Sequence, residues 1–307
     1  MDPAVWAAIE GAMATAMTEH DLRALIVRVT RDGREVYTGA LGESMTGVPA
    51  TTDMRVFNGA VAYTCLGQLL VMLAQQGSVG LDDKLSEYLP SLPAADRVTL
   101  RMLANSTSGY ADYVYTPEVL TSSSLTPYRQ FDTDELIAIG TAQPMMFEPG
   151  TNWGYSHTNY AILGKVLATA GGQPLPELMD EYIVEPMGLQ STAPTLTTDI
   201  PPPVLHTWSS KRRADLQIPA NLPFYEDSTF WNASWTTPTG ALMTTDITDL
   251  TRTAEAVGSG ELVSPMMYEA QAGKSLVGVG EKTGQCPVCA PLTENRSYGF
   301  ALVLLGD

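Results

Sequence analysis

Three side chains in this sequence could act together in proton transfer, namely Tyr63, Tyr155 and His157. An imidazole changes its charge near neutral pH, so His157 could serve as a general base beside the two phenols. Such groups suit acyl transfer, in which a carbonyl carbon is attacked and the developing oxyanion must be stabilised. Whether they can cooperate depends on the elements that carry them.

The element that organises the chain is a helix predicted within residues 54–79, which read MRVFNGAVAYTCLGQLLVMLAQQGSV. Its apolar residues recur at helical spacing, and the pattern ends at Gly77. We expect Asn58 to cap the helix start by accepting a hydrogen bond from a first-turn amide. Such a start exposes unpaired N–H groups and the positive end of the helix dipole, where an acyl-transfer enzyme would place its nucleophile.

This segment, continued by Leu-Asp-Asp-Lys-Leu at 81–85 and Tyr-Leu-Pro at 88–90, resembles the serine beta-lactamase and penicillin-binding-protein family. The resemblance is to the branch that contains class C beta-lactamases, D-Ala-D-Ala carboxypeptidases and esterases. In that family a Ser-x-x-Lys motif begins the helix, and its lysine manages the proton of the attacking serine. The serine position falls on Ala60 and the lysine position on Tyr63, so both catalytic side chains are replaced.

A second segment, residues 147–160 with the sequence FEPGTNWGYSHTNY, resembles the Tyr-Ser-Asn region of the same family. The resemblance places the catalytic tyrosine at Tyr155 and the substrate-orienting asparagine at His157. A tyrosine that shares a proton with the nucleophile needs a perturbed pKa and therefore a nearby positive charge. The lysine that supplies this charge in the family is absent here.

A third segment, residues 238–250, resembles the strand-to-helix turn Gly-Gly-Leu-x-Ser-Thr of the family, with Thr245 or Asp246 predicted to cap the following helix. The family's third motif, Lys-Thr-Gly or His-x-Gly, follows a strand that we place at 298–305. The Lys-Thr-Gly at 282–284 precedes that strand and is interpreted as a chance match. We therefore expect the final strands and closing helix of the family to be missing from this chain.

The resemblance implies an α+β fold of the beta-lactamase and transpeptidase type, with an antiparallel sheet flanked by helices and a mostly helical second part. We predict a single unit over residues 1–307, with a sheet subdomain at about 1–60 and 240–307 and a helical subdomain at about 61–239. A helix at 3–18 and a hairpin of strands 25–29 and 35–38 agree with this plan, because Asp-Gly pairs favour hairpin turns.

The three cysteines are Cys65, Cys286 and Cys289. Cys65 is predicted to be a small core residue of the buried helix. The Cys-Pro-Val-Cys pair could form a loop disulfide, a redox loop or half of a zinc site. A zinc site needs further ligands and the chain has three histidines, so we expect no metal and no cofactor.

The composition indicates a folded protein and excludes some partners. Hydrophobic residues make up 44% and charged residues 17%, while 34 acidic against 17 basic residues give a formal charge of −17. Nucleic acid and anionic lipid surfaces are therefore unsuitable partners. We see no membrane span and no signal peptide; the resemblance implies a secreted, periplasmic or envelope protein, and the residues leave a cytoplasmic location open.

The expected function is that of a beta-lactamase-related serine hydrolase scaffold that acts on or binds a small-molecule or peptide acyl ligand, a lactam or an ester. With Ala60 in place of the nucleophile, conventional acyl-enzyme activity is not expected. The alternatives are a non-catalytic relative that binds peptidoglycan-like ligands, chemistry by Tyr155 and His157, an engineered serine knockout, or a merely structural role for Tyr63 and His157. Tyr63 argues against the knockout, because one substitution would not also remove the lysine.

Overall fold

The computed structural model describes residues 3–306 and combines helices with short antiparallel sheets, as the sequence predicts. The helices are α1 (Pro3–Glu19), α2 (Val61–Gln75), α3 (Leu100–Ala104), α4 (Pro117–Leu125), α5 (Thr133–Thr141), α6 (His157–Gly171), α7 (Leu175–Met179), α8 (Glu185–Met187), α9 (Ile247–Ser259) and α10 (Pro265–Ala272). The strands are β1 (Ala24–Arg31), β2 (Arg34–Met45), β3 (Val48–Pro49), β4 (Val56–Phe57), β5 (Ala193–Pro194), β6 (Trp208–Ser209), β7 (Glu226–Asp227), β8 (Met243–Thr245), β9 (Arg296–Tyr298) and β10 (Val303–Leu305).

The N-terminal part confirms the predicted helix and hairpin. Strands β1 and β2 pair antiparallel across a turn at Asp32 and Gly33, both of which adopt positive φ angles. Asp and Gly tolerate this backbone region better than other residues, which explains why this pair forms the turn. Strand β3 extends the sheet on the far side of β2.

A small sheet in the order β4-β8-β5 holds the start of α2 in place. Val56 and Phe57 pair with Thr245 and Thr244, and the backbone N–H of Asn58 donates to the carbonyl of Met243 at 2.9 Å. The side-chain oxygen of Asn58 accepts the Met243 N–H at 3.1 Å. Asn58 thus prolongs the sheet, and the prediction that it caps α2 is wrong.

Helix α2 is the centre of the hydrophobic core. Leu66, Leu69 and Leu70 are fully buried, and the helix packs against α6 and α10. Gly67 lets the backbone at Phe300 approach, because a methyl group at Gly67 would lie 2.5 Å from the Phe300 carbonyl oxygen. Gly77 follows the helix end with a φ of +81°, as expected for the residue after a helix C-terminus.

The segment predicted as one strand at 298–305 is a tight hairpin of β9 and β10. The chain reverses because the N–H of Gly299 donates to the carbonyl of Leu302 at 2.8 Å. The amides of Phe300 and Ala301 donate instead to Gln271 and Ala104 in the helical part. The prediction of a continuous strand is wrong because these tertiary hydrogen bonds outweigh the local apolar pattern.

Strands β5, β6 and β7 lie within residues 61–239, which the sequence interpretation assigned to a helical subdomain. That subdomain division stays a prediction. Among the described helices, none combines the length and apolar character needed to cross a bilayer.

Candidate functional site

A cavity of about 430 Å³ opens beside the start of α2. Ala60 and Tyr63 line it from α2, Tyr155 lines it from the loop before α6, and the β9-β10 hairpin closes the opposite side. Thr64 ties this hairpin to α2, since its hydroxyl donates to the Ala301 carbonyl at 3.0 Å. Three of the four residues singled out in the sequence therefore share one cavity.

Ala60 occupies the N-cap position of α2 and is exposed. The first-turn amides that the sequence suggested as oxyanion donors are already used. The N–H groups of Val61, Ala62 and Tyr63 donate to the carbonyls three residues earlier, at 3.0 to 3.2 Å. The expectation of unpaired N–H groups is therefore wrong for these three residues, because a tight turn precedes the helix and accepts their hydrogen bonds.

Tyr63 is buried, and its ring stacks on that of Tyr160 with 4.2 Å between the centroids. Its hydroxyl has no hydrogen-bond partner among the described residues. Burial raises the pKa of Tyr63 well above its usual value of 10.0, and the neighbouring Tyr113 and Tyr155 raise it further. Tyr63 is thus a neutral phenol at neutral pH and cannot take over the role of a lysine ammonium.

Tyr155 is half-buried and packs edge to face against His157, with centroids 5.2 Å apart. Burial raises the pKa of Tyr155 above 10.0, and the nearby Tyr160 and Asp112 act in the same direction. A catalytic tyrosine that accepts a proton needs the opposite shift. Tyr155 therefore keeps its phenol proton at neutral pH, and a neutral phenol can donate a hydrogen bond.

His157 is the first residue of α6 and does not belong to the cavity lining among the described residues. Its Nδ1 lies 2.8 Å from Oδ2 of Asp112, whose side chain is 2% exposed. A carboxylate only accepts hydrogen bonds, so Nδ1 donates the proton of this bond; in the neutral tautomer that carries this proton, Nε2 can accept a hydrogen bond. Asp112 also accepts the Val114 N–H at 3.1 Å, which fixes the carboxylate.

The sequence interpretation missed Asp112, because 45 residues separate it from its histidine partner and no local motif marks it. It also missed Trp153, Arg296 and Ser297, which line the cavity. The indole N–H of Trp153 and the hydroxyl of Ser297 are buried and, like the Tyr63 hydroxyl, have no hydrogen-bond partner among residues 3–306. Buried polar groups are normally hydrogen-bonded, so these three groups of cavity-lining residues are exceptions to that rule.

A disulfide joins Cys286 and Cys289, which confirms one of the alternatives for this pair, and Cys65 is buried and free. The disulfide packs against the loop that carries Tyr155. A methyl group at Gly154 would lie 3.2 and 3.3 Å from the two sulfur atoms. The Lys-Thr-Gly at 282–284 lies just before this disulfide loop and, within the described part of the chain, contributes nothing to the cavity lining.

Known proteins resemble this chain in sequence and in fold. The chain matches the family model described as Beta-lactamase over residues 9–293. It is 32% identical over 130 residues to penicillin-binding protein 4* of Bacillus subtilis, covering 42% of this chain and 28% of that protein. It is 27% identical over 199 residues to the esterase EstB of Burkholderia gladioli, covering 60% of this chain and 50% of the esterase.

Among solved structures, a D-stereospecific amidohydrolase from Streptomyces sp. superposes with a TM-score of 0.75 at 24% identity, covering 92% of this chain and 78% of the other. At that identity the likeness concerns the fold. The alignments span between about a quarter and a half of the length of the two curated relatives. The family match extends over most of the present chain, which therefore belongs to the beta-lactamase family of serine hydrolases.

Proposed function

We propose that the chain is a non-catalytic member of its family that holds an acyl ligand in the cavity beside Ala60 without forming an acyl-enzyme. The observation that carries the proposal is the methyl group of Ala60 at the cavity wall, where the family resemblance places the nucleophile. An alanine has no atom that can attack a carbonyl, and loss of a nucleophile leaves only binding and oxyanion contributions.

The lining of the cavity is suited to a polar ligand that bears a carbonyl or a carboxylate group. Trp153, Tyr63 and Ser297 are lining residues that each carry one hydrogen-bond donor without a partner among the described residues. These donors are buried, so each side chain must rotate for its donor to reach a ligand. Arg296 adds a guanidinium, which matches the planar geometry of a carboxylate. Apolar side chains such as Leu292 and Leu302 complete the lining and suit the body of an acyl group.

The proposed ligand class is supported by chemistry that the relatives' names share. Penicillin binding and ester hydrolysis, named for two relatives, and amide hydrolysis by a structural neighbour all concern an acyl group with a polarised carbonyl. An acyl-peptide, lactam or ester with a free carboxylate therefore fits the donors of this cavity best.

The proposal is tested by incubating the protein with benzylpenicillin and with a fluorophosphonate, followed by intact-mass spectrometry and calorimetric titration. We expect reversible binding of the penicillin and no mass increase from either reagent. Arg296→Gln should weaken binding about fivefold, as expected for an exposed ion pair. Arg34→Gln, which removes an exposed arginine elsewhere, is the matched control. A stable adduct on any residue, or turnover of the penicillin, contradicts the proposal.

A second candidate function is hydrolysis with His157 as general base, and the 2.8 Å contact between His157 and Asp112 favours it. Asp112 would orient the imidazole and leave Nε2 to activate a water molecule, as in other histidine-carboxylate pairs. Turnover of nitrocefin or short-chain esters that is lost in His157→Gln supports this candidate. Ligand binding without any turnover supports the first proposal, that the chain binds its ligand without catalysis.

A further inference from the structure

The loop at residues 279–292 is anchored by its disulfide. Only three residues of this loop are buried, namely Cys286, Cys289 and Leu292. The two ends of the loop lie together, because the N–H of Leu292 donates to the carbonyl of Val279 at 2.8 Å. Leu292 also lines the cavity of about 430 Å³ described above, which is called the first cavity from here on. The loop is therefore part of the wall of the first cavity.

The disulfide packs against the residues that directly precede two residues of the candidate site. Gly154 comes before Tyr155, and a methyl group at Gly154 would lie 3.2 and 3.3 Å from the two sulfur atoms. Ala111 comes before Asp112 and packs against the cluster that the two cysteines form with Met146. A displacement of the sulfur atoms would therefore move the backbone beside Tyr155 and beside Asp112.

The side chain of Asn152 joins the loop to the same wall. Its Nδ2 donates to the Glu281 carbonyl at 2.9 Å, and its Oδ1 accepts the N–H groups of Glu281 at 2.8 Å and of Trp153 at 2.9 Å. Trp153 lines the first cavity. Because one side chain holds both segments, we expect the loop and the cavity wall to move together.

A second cavity, of about 520 Å³, opens beside the disulfide. Met146 lines it, and the Sδ of Met146 lies 3.7 Å from the Sγ of Cys286. Gln285, which precedes Cys286, is also part of the lining and is exposed. The cysteines are absent from the lining among the described residues, so a reagent in this cavity reaches the sulfur atoms after local opening of the loop.

We propose that the bond between Cys286 and Cys289 is a thiol–disulfide switch for ligand binding in the first cavity, with a small dithiol as its reductant. The inference rests on the proposed function, because it concerns regulation of the same cavity. One thiolate of the dithiol attacks a protein sulfur and breaks the S–S bond, and the second thiol then resolves the mixed disulfide. The protein gains two electrons and two protons as two thiols, and the dithiol is oxidised to a disulfide.

Reduction enlarges the buried pair of sulfur atoms. Two thiols share no bond, so their sulfur atoms must separate to van der Waals contact. Gly154 leaves little free space beside them, and a close-packed interior transmits such a displacement to its neighbours. Either the loop or the backbone at Gly154 must move, and both carry the wall of the first cavity. Ligand binding therefore weakens on reduction and recovers on oxidation.

The test compares the oxidised protein with the protein reduced by dithiothreitol, which is removed under nitrogen before benzylpenicillin is added. A thiol assay counts the new thiols, circular dichroism reports whether the protein stays folded, and calorimetry measures the affinity. We expect two new thiols and an affinity that is about fivefold lower or more, the lower end of the usual range for coupled sites. Reoxidation with glutathione disulfide should restore the affinity.

The indole N–H signal of Trp153 in nuclear magnetic resonance spectra is a readout that needs no ligand. We expect this signal to shift on reduction and to return on reoxidation. If the oxidised protein binds no benzylpenicillin, the proposed function fails, and the Trp153 signal still tests the switch. A shifted signal then supports control of the cavity wall by the disulfide, and an unchanged signal overturns it.

Two variants serve as controls. Cys286→Ala/Cys289→Ala should show no response to dithiothreitol, whereas Cys65→Ala removes the free thiol and should keep the full response. Equal affinity of the oxidised and reduced folded protein overturns the proposal. Unfolding on reduction, or a disulfide that resists dithiothreitol in the folded protein, also overturns it. The comparison of oxidised and reduced protein needs no variant, so a folding defect of a variant cannot obscure it.

Discussion

The rings of Tyr63 and Tyr160 stack with their centroids 4.2 Å apart and their planes inclined by 18°. The two phenols are neighbours in the same core, yet their hydroxyls differ in hydrogen bonding. The Tyr160 hydroxyl lies 2.5 Å from that of Tyr298 and 3.3 Å from Oγ of Ser106. Tyr63 also lines the first cavity, but its buried hydroxyl has no such partner among the described residues.

This difference predicts opposite effects of the same substitution at two stacked positions. Tyr63→Phe should leave the free energy of unfolding unchanged or raise it by about 1 kcal/mol, because a buried hydroxyl without a partner is removed. Tyr160→Phe should lower it by about 1–2 kcal/mol, because it removes the hydrogen bond between the Tyr160 and Tyr298 hydroxyls. Urea denaturation of the two variants measures both values. Equal destabilisation in the two would contradict the hydrogen-bond assignment.

The buried tyrosines also predict a loss of stability at alkaline pH. Burial raises the pKa of Tyr160 to about 12, and it raises the pKa of Tyr63, Tyr113 and Tyr298 well above 10.0. Above pH 10 the unfolded chain releases these protons while the folded chain keeps them, so the unfolded state is increasingly favoured. The contribution of these protonated tyrosines to stability is complete below pH 10, and it is lost as the pH rises through their pKa values in the folded state.

Each buried tyrosine with a raised pKa makes the free energy of unfolding fall with pH more steeply, by about 1.4 kcal/mol per pH unit. Urea titrations between pH 8 and pH 12 measure this slope, and phenolate absorbance reports when the protons leave. We expect most of the absorbance change to coincide with unfolding and the slope to be shallower in Tyr63→Phe. Ionisation of all tyrosines in a chain that stays folded would show that the rings are not buried as described.

The disulfide predicts a measurable contribution to stability. It closes a four-residue loop, for which the chain-entropy estimate is about 2 kcal/mol. The double variant Cys286→Ala/Cys289→Ala should lose about this amount, and it should also bind ligands of the first cavity more weakly, because the disulfide packs against Gly154 beside Tyr155. A reductant should reproduce the loss in the unmodified protein and have no effect on the variant. If the reductant destabilised the unmodified protein and the variant equally, the loss of stability would not come from the disulfide.

The sequence was most informative where local signals decide the structure. The spacing of apolar residues predicted helix α2. The Asp32-Gly33 pair predicted the first hairpin, and three segments that resemble the family predicted the fold. In each case neighbouring residues carry the signal, through helical periodicity, positive φ angles or a contiguous motif. The predicted burial of Cys65 is confirmed for the same reason, since it lies on the core face of α2.

The predictions from sequence were wrong where a segment far away in the chain forms the hydrogen bonds that local residues were expected to form. Asn58 was expected to bond an adjacent amide, but Met243 in β8 occupies its side-chain oxygen. The apolar run at 298–305 reads as a strand, but contacts with Gln271 and Ala104 bend it into a hairpin. The partner of His157 and the polar groups of the first cavity likewise come from segments far apart in the chain, and no spacing within one motif reveals them.

Asp246 provides a prediction in which local sequence and tertiary structure agree. It was one of two residues expected to cap the helix after 245, and its carboxylate accepts the N–H of Asp249 at 2.9 Å at the start of α9. The capped turn also positions the Asp249 carboxylate, which accepts the Ser191 N–H at 2.6 Å and the Thr192 hydroxyl at 2.9 Å. The cap therefore holds both α9 and the segment leading into β5.

Asp246→Ala should lower the free energy of unfolding by about 1 kcal/mol, the usual effect of losing an N-cap. Asp246→Asn should lose less, because an amide oxygen still accepts the hydrogen bond while the favourable charge at the helix N-terminus is lost. Asp215→Ala removes an exposed aspartate outside any helix start and controls for the change in net charge. Thermal and urea denaturation of the three variants should rank them in this order. Equal stability of Asp246→Ala and Asp215→Ala would mean that the carboxylate at 246 stabilises neither α9 nor its contact with β5.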